Sequence, residues 1–259
     1  MTDKDEFIWK TSISDASKEN TIIRGYDINK LIGNLSFTQA IYLILKGELP
    51  SKQHKKMLDA IFVSVIDHSI AVPSVVTART TASCGAPFNA AVAAGVLCIS
   101  EYHGGAIEQA AKLFQEELKN TKEAKEAAKN IVNKISIEKK RMPGYGHKIY
   151  TEDKRALHLL KLAKEFTIAG KHTELAIEVE KELEKAKGKK LCLNVDAAIA
   201  GIISDMGFDW QLGKAFFIIS RTVGLCAHVH EEQTQEKPFR RLPEDICEYT
   251  GKPLRKLPK

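Results

Sequence analysis

Apolar and polar residues almost never alternate with period two beyond Arg24, which excludes a β-rich domain. The five cysteines, Cys84, Cys98, Cys192, Cys226 and Cys247, contain no Cys-x-x-Cys pair, so neither a zinc site nor a redox motif is indicated. Several stand in apolar runs, as small buried hydrophobes do. No basic block interleaved with aromatics and no zinc-finger spacing is present. The net charge of +6 comes from Lys and Arg spread along the chain, and no nucleic-acid partner is expected. A mildly basic surface does suit a polyanionic small molecule. No apolar run approaches the length of a membrane span, and Met1 to Glu6 is acidic and polar rather than a signal peptide. These features lead us to expect a cytoplasmic protein with no membrane partner. Internal repeats and low-complexity segments are also missing.

What remains is a helical pattern. Hydrophobic residues at 44% and charged residues at 28% are those of a globular protein, and 259 residues suffice for one large domain or two unequal ones. Phe7-Ile8-Trp9 and Thr21-Ile22-Ile23 flank a polar stretch and read as a short N-terminal hairpin. Ser36-Phe37-Thr38-Gln39 is a capping box, and Gly47 stands where a left-handed C-cap is expected. Further helices are expected over 52–66, 74–82, 88–100, 112–135, 153–166, 172–187, 197–206 and 212–231. Residues 88–100 are rich in Ala and Gly and read as a closely packed, central, buried helix. The fold class is all-α.

Residues able to do chemistry cluster at breaks in this pattern. They are Asp67-His68, Tyr102-His103-Gly104-Gly105, Pro143-Gly144-Tyr145-Gly146-His147 and Asn194-Val195-Asp196, with Arg155 and Arg221. Glycines around His147 allow a backbone that other residues do not adopt and let it approach a ligand. Each group also has a plain structural reading. His68 and His103 suit the C-terminal ends of helices, where an imidazolium is favoured. Asp196 suits an N-cap. Arg221, inside an apolar helix, needs a carboxylate or phosphate partner. His228 and His230 point apart on a helix and read as surface or interface residues, and His54, His158 and His172 as solvated ones.

Taken in order, these motifs resemble the citrate synthase superfamily. Arg24-Gly25-Tyr26, Ser36-Phe37 and Tyr42 to Pro50 are similar to its N-terminal signature; His103-Gly104-Gly105-Ala106, Pro143 to His147 and Asn194-Val195-Asp196 are similar to its three catalytic motifs. The resemblance runs from about Ile22 to Arg241. Within the superfamily, Asp67-His68-Ser69-Ile70-Ala71-Val72 and Ala197-Ala198-Ile199-Ala200-Gly201 resemble the citryl-CoA lyase part of ATP-citrate lyase, and the chain is shorter at its N-terminal end than ordinary citrate synthases. In one respect it departs: the ATP-citrate lyase part carries Phe where this chain has His103, a synthase-like choice.

The resemblance implies an all-α homodimer, with a small domain at 105–211 inserted between large-domain parts at 1–104 and 212–259. It implies cleavage of citryl-CoA to acetyl-CoA and oxaloacetate. His147 would take the hydroxyl proton, His103 would donate to the enolate oxygen, and Asp196 would protonate the enolate carbon. His68, Arg155 and Arg221 would hold the carboxylates, joined by Arg240 reaching across to the neighbouring subunit's site. Lys139, Lys140, Arg141 and Lys148 would meet the phosphates of coenzyme A, which takes part as substrate and product rather than as a tightly bound cofactor; no metal is implied. Two alternatives stand beside this one: a short citrate or methylcitrate synthase, and a non-catalytic helical assembly subunit.

Overall fold

The computed structural model describes residues 9–16, 20–146 and 152–258. Among them the architecture is helical, with one small antiparallel sheet of order β1(Ser14–Ala16), β2(Thr21–Ile23), β3(Tyr26–Asp27). Among the described residues the first strand is Ser14–Ala16, pairing Ser14 with Ile23. Trp9 lies outside any strand, and Phe7 and Ile8 lie outside the described residues. Between β2 and β3, Arg24 (φ 48°) and Gly25 (φ 86°) both take positive φ, as a two-residue hairpin turn requires. The Arg24 guanidinium then donates to the Ile44 carbonyl at 2.7 and 3.1 Å, satisfying one of the orphan acceptors at a helix C-terminus.

The helices are α1(Ile28–Leu31), α2(Phe37–Lys46), α3(Lys52–Ser64), α4(Pro73–Ser83), α5(Phe88–Leu97), α6(Ala106–Asn120), α7(Ala124–Ile137), α8(Lys154–Glu165), α9(Lys171–Lys187), α10(Val195–Asp205) and α11(Gly213–Gln235). The capping box forms as expected: Gln39 N–H donates to Ser36 Oγ, Ser36 N–H donates to Gln39 Oε1, and Gly47 closes α2 in the left-handed region. The run expected over 112–135 is two helices. Its break follows Asn120 and Thr121, whose side chains bond back to Glu116 and Glu117 in place of continuing the helix.

By contact the chain forms two compact units, Met1–Ile66 with Gly104–Ser220, and Asp67–His103 with Arg221–Lys259. This grouping differs from the large and small domains expected in where it puts residues 1–66 and 212–220. The reason lies in the aromatic packing: Tyr42 of α2 meets Phe208 edge-on at 5.3 Å, and Phe208 meets Phe216 at 5.0 Å. His54, expected to be solvated, joins the same cluster with Nδ1 3.1 Å from Tyr42 Oη.

The centre of the first unit is α10. Nine of its eleven residues are buried, including Ile199, Ile202 and Ile203, against α6, α8 and α9. Each isoleucine so enclosed contributes roughly 1.5–3 kcal/mol of transfer free energy. In the second unit α4, α5 and the later part of α11 pack through Val75, Ala78, Leu225 and Val229. Here the expectation of a central, buried α5 fails. Only Ala91 and Gly95 are buried, while Phe88 and Leu97 are exposed. The small residues do bring helices close, since a Cβ on Gly95 would stand 2.9 Å from Ala78 Cβ. They do so on one face only. α11, within Trp210–Gln235, is long and apolar enough by length and composition to cross a membrane, which corrects the expectation that no run has that length. Its buried Phe216, Leu225 and Val229, with Arg221 in the interior, are the pattern of a core helix.

Asp205 ties α10 to α9. Its carboxylate accepts from the backbone N–H groups of Gly170, His172 and Thr173, from Thr173 Oγ1, and lies 2.9 Å from His172 Nδ1. His172 is therefore a partner in a buried cluster and not a solvated residue. Burial pushes the Asp205 carboxyl up, but the hydrogen bonds from His172 and Thr173 outweigh it and hold the pKa below its ordinary value. A depressed carboxylate adds stability that is present above the unfolded value near 3.9 and is lost as pH falls through the lower folded value. The melting temperature of Asp205→Asn should lie below wild type at neutral pH, and the gap should narrow in acid below about pH 4. A gap independent of pH would contradict this.

Candidate active site

Two segments far apart in sequence are sewn together at the start of α10. Gly146 N–H donates to the Cys192 carbonyl at 2.7 Å, Asn194 N–H to the Gly144 carbonyl at 3.0 Å, and Tyr145 pairs with Leu193 as an isolated bridge. Gly144 takes φ +82°, and a Cβ there would stand 2.7 Å from Ala197 Cβ and 2.8 Å from Ala197 N. The glycine is thus demanded twice, by conformation and by close approach to α10. The Tyr145 hydroxyl donates to the Ala176 carbonyl at 2.7 Å, and burial with the nearby Glu180 charge pushes its pKa well up. Gly144, Tyr145 and Gly146 are thus tied to the segment that opens α10. His147 and Lys148 lie outside the described residues.

Asp196 does not cap α10. That role belongs to Asn194, whose Oδ1 accepts from the Asp196 N–H at 3.0 Å and whose Nδ2 donates to the Gly146 carbonyl at 3.3 Å. The Asp196 carboxylate, half-buried in the first turn, sits where the helix dipole favours an anion.

Asp153, which the sequence did not single out, lies beneath this turn. It caps α8, accepts from the Val195 N–H at 3.0 Å, and holds the Arg155 guanidinium through both oxygens at 3.0 and 3.2 Å. Burial raises its pKa, but the hydrogen bond and charge of Arg155, with the Val195 amide, bring it below the ordinary range. Arg155, expected to bind a substrate carboxylate, already has an internal one and keeps about a third of its side chain exposed. An acidic residue two positions before an arginine at a helix start was the available clue.

The second unit holds the remaining polar candidates. His103 lies half-buried beyond α5, its backbone paired with Ser100 and its Nε2 2.8 Å from the hydroxyl of buried Ser74 on α4. Burial, and then the Arg221 charge, lower its pKa, which favours the neutral form of the imidazole. A neutral imidazole is a hydrogen-bond donor that carries no charge of its own into the site. Arg221 is buried on α11, and His68 is exposed on the loop before α4. Arg240 is held within its own chain, with Nε 2.5 Å from buried Glu232 and Nη2 3.4 Å from Glu236.

Among the expected phosphate-binding residues, Lys140 and Arg141 line a pocket of about 570 Å³ beside Tyr145 and Gly146. Lys187 and Lys189, from the far end of α9, line it as well and were not anticipated. Lys139 is exposed just past the end of α7 and does not line the pocket.

The family described as "Citrate synthase, C-terminal domain" matches residues 4–58 and 50–242. The chain belongs to the citrate synthase family. Among solved structures it is similar to the citryl-CoA lyase of Hydrogenobacter thermophilus, with 50% identity and a TM-score of 0.91 over 97% of this chain and 98% of that one. It is also similar to the ATP citrate lyase of Methanosaeta concilii, solved with (3S)-citryl-CoA, at 25% identity and TM-score 0.79, covering 94% of this chain and 42% of the other. The ATP-citrate synthase beta chain protein 1 of Arabidopsis thaliana is 28% identical over 88% of this chain, which spans 38% of the plant protein's length. Membership of the citrate synthase family agrees with the helical fold and with the motifs around His103, Gly144 and Asp196.

Proposed function

We infer that this protein is a citryl-CoA lyase, cleaving citryl-CoA to acetyl-CoA and oxaloacetate. The observation that carries the reading is the similarity at 50% identity to the Hydrogenobacter thermophilus citryl-CoA lyase, which spans nearly all of both chains.

The chemistry assigns each group a separate duty. A base takes the proton of the tertiary hydroxyl as the adjacent C–C bond breaks. The hydroxyl oxygen becomes the ketone of oxaloacetate, and the bonding pair leaves as the enolate of acetyl-CoA. His147 is that base by its place in the family's motif. His103, neutral, donates a hydrogen bond to the enolate oxygen, where negative charge develops. Asp196, in its acid form, delivers a proton to the enolate carbon, making the methyl group. Its place in the first turn is set by Asn194, Asp153 and the Gly144 contact. His68, Arg155 and Arg221 take the carboxylates; for Arg155 this means sharing its guanidinium with Asp153. The pocket walled by Lys140, Arg141, Lys187 and Lys189 suits the phosphates of coenzyme A, with Lys139 and Lys148 contributing long-range charge.

We propose further that the protein is a homodimer. α5 carries no charged residue yet exposes Phe88 and Leu97, 43% and 81% accessible, and Val223 of α11 is 54% exposed in the same unit. Exposed apolar side chains of this size are what an interface between two copies would cover. In such a dimer Arg240 would exchange its internal glutamates for the neighbouring site. Light scattering should give a mass near that of two 28.8 kDa chains; a monomer at micromolar concentration would contradict the proposal.

Purified protein given citryl-CoA should release oxaloacetate, read as NADH loss through malate dehydrogenase, together with acetyl-CoA. Free coenzyme A with citrate would instead identify a synthase caught at its hydrolytic step, a reading to which the synthase-like His103 lends some weight. No product above the spontaneous rate would leave the assembly-subunit reading.

A further inference from the structure

His228, read from sequence as a surface residue, is 18% exposed in its side chain and stands between two charged groups of the second unit. Its Nε2 is 3.2 Å from Asp67 Oδ1, and its Nδ1 is 3.4 Å from Arg79 Nη1. A guanidinium only donates, so Nδ1 accepts and the ring proton resides on Nε2, directed at Asp67. Arg79 is itself immobilised. Only 3% of its side chain is exposed, and it is bound by Glu232 at 2.7 Å and Glu231 at 2.8 Å. Glu232 is also the partner of Arg240. The imidazole therefore has both its tautomer and its orientation dictated from behind.

Asp67 passes this constraint forward. Its Oδ2 accepts from the Ser69 N–H at 3.3 Å, and the His68 N–H also bonds to the carboxylate. Ser69 has φ +84°, a conformation L side chains rarely adopt, so the loop needs such an external hold. Burial raises the Asp67 pKa, while His228 and these two amides bring it below the ordinary value, in keeping with a carboxylate that is ionised and engaged. His228 also lies seven residues, about two helical turns, beyond Arg221, so both project from one face of α11.

We propose that His228 is a positioning residue for substrate recognition: through Asp67 it sets the backbone, and so the imidazole, of His68 for a carboxylate of the four-carbon half of the substrate. This rests on the assignment of His68 made under the proposed function. Steady-state cleavage of citryl-CoA by His228→Ala should show KM raised roughly tenfold, as expected for loss of one positioning hydrogen bond, with kcat changed less than about threefold. His228→Gln keeps an N–H donor near the Nε2 position and should restore most of the wild-type KM. Because His228 acts through His68, the double variant His68→Ala/His228→Ala should have the KM of His68→Ala alone. A merely structural role would add its penalty in the double variant and would not be rescued by Gln. If His228→Ala does not fold, Asp67→Ala, at the more exposed end of the same hydrogen bond, carries the test unchanged. An unchanged KM in His228→Ala while His68→Ala raises it overturns the positioning proposal alone. An unchanged KM in His68→Ala overturns the assignment of His68, and this proposal with it.

Discussion

The first unit depends on how the N-terminal turn of α10 is closed. Four contacts meet there: the Gly144 backbone against Ala197, Asn194 on the amide of Asp196, Asp153 on the amide of Val195, and the Gly146–Cys192 bond. An α-helix begins with amide groups lacking internal acceptors, and here two of them are met by side chains fixed elsewhere. The turn's one acidic side chain, Asp196, is thus left out of the capping arrangement. Asp153 extends the arrangement, since the same carboxylate that seats Val195 also orients Arg155. Helix start, loop and cation share one buried anion, and a change at any of them reaches the others.

The second unit uses buried charge in the same manner. Arg79 and Glu232 are almost wholly enclosed, and an ion pair so placed gains little net stability, because desolvation consumes most of the Coulomb energy. What it supplies is direction. Arg79 fixes His228, Glu232 holds Arg240, and His228 in turn restrains the Asp67 loop. Burial and, after it, the charge of Arg221 lower the pKa of His103 and so favour its uncharged form. An uncharged donor is what the role proposed for His103 calls for.

The sequence made legible whatever is decided within a turn or two. The Ser36 and Gln39 box, Gly47 and the break before Pro73 are local choices of backbone chemistry, and all stand where expected. The breaks around Gly104 and Gly144 were legible for the same reason, since each is a short run with a conformational demand, met by glycines in the left-handed region. Partners brought from a distance were not. Asp205 with His172, Asp153 with Val195, and His228 with Asp67 join residues 33 to 161 positions apart. The composition of α5 revealed close packing but not which face would be covered, because alanine and glycine favour close approach whether one side or both are enclosed. The plain structural reading of Asp196 as a cap fails because Asn194, two residues earlier, is equally suited to the role and takes it. The polar strand at Ser14–Ala16 was missed because its formation depends on pairing with Thr21–Ile23 and not on its own propensity.

The central claim is that the closed turn of α10 presents Asp196 as the group that protonates the enolate carbon. Cleavage of citryl-CoA in deuterium oxide, followed by mass analysis of the acetyl-CoA formed, tests it. Wild-type protein should give acetyl-CoA carrying one methyl deuterium. Asp196→Asn should slow its formation by about 10²–10⁴-fold, the usual contribution of a positioned acid, while still binding coenzyme A. Cleavage by Asp196→Asn at the wild-type rate would contradict the account and move the proton to another group.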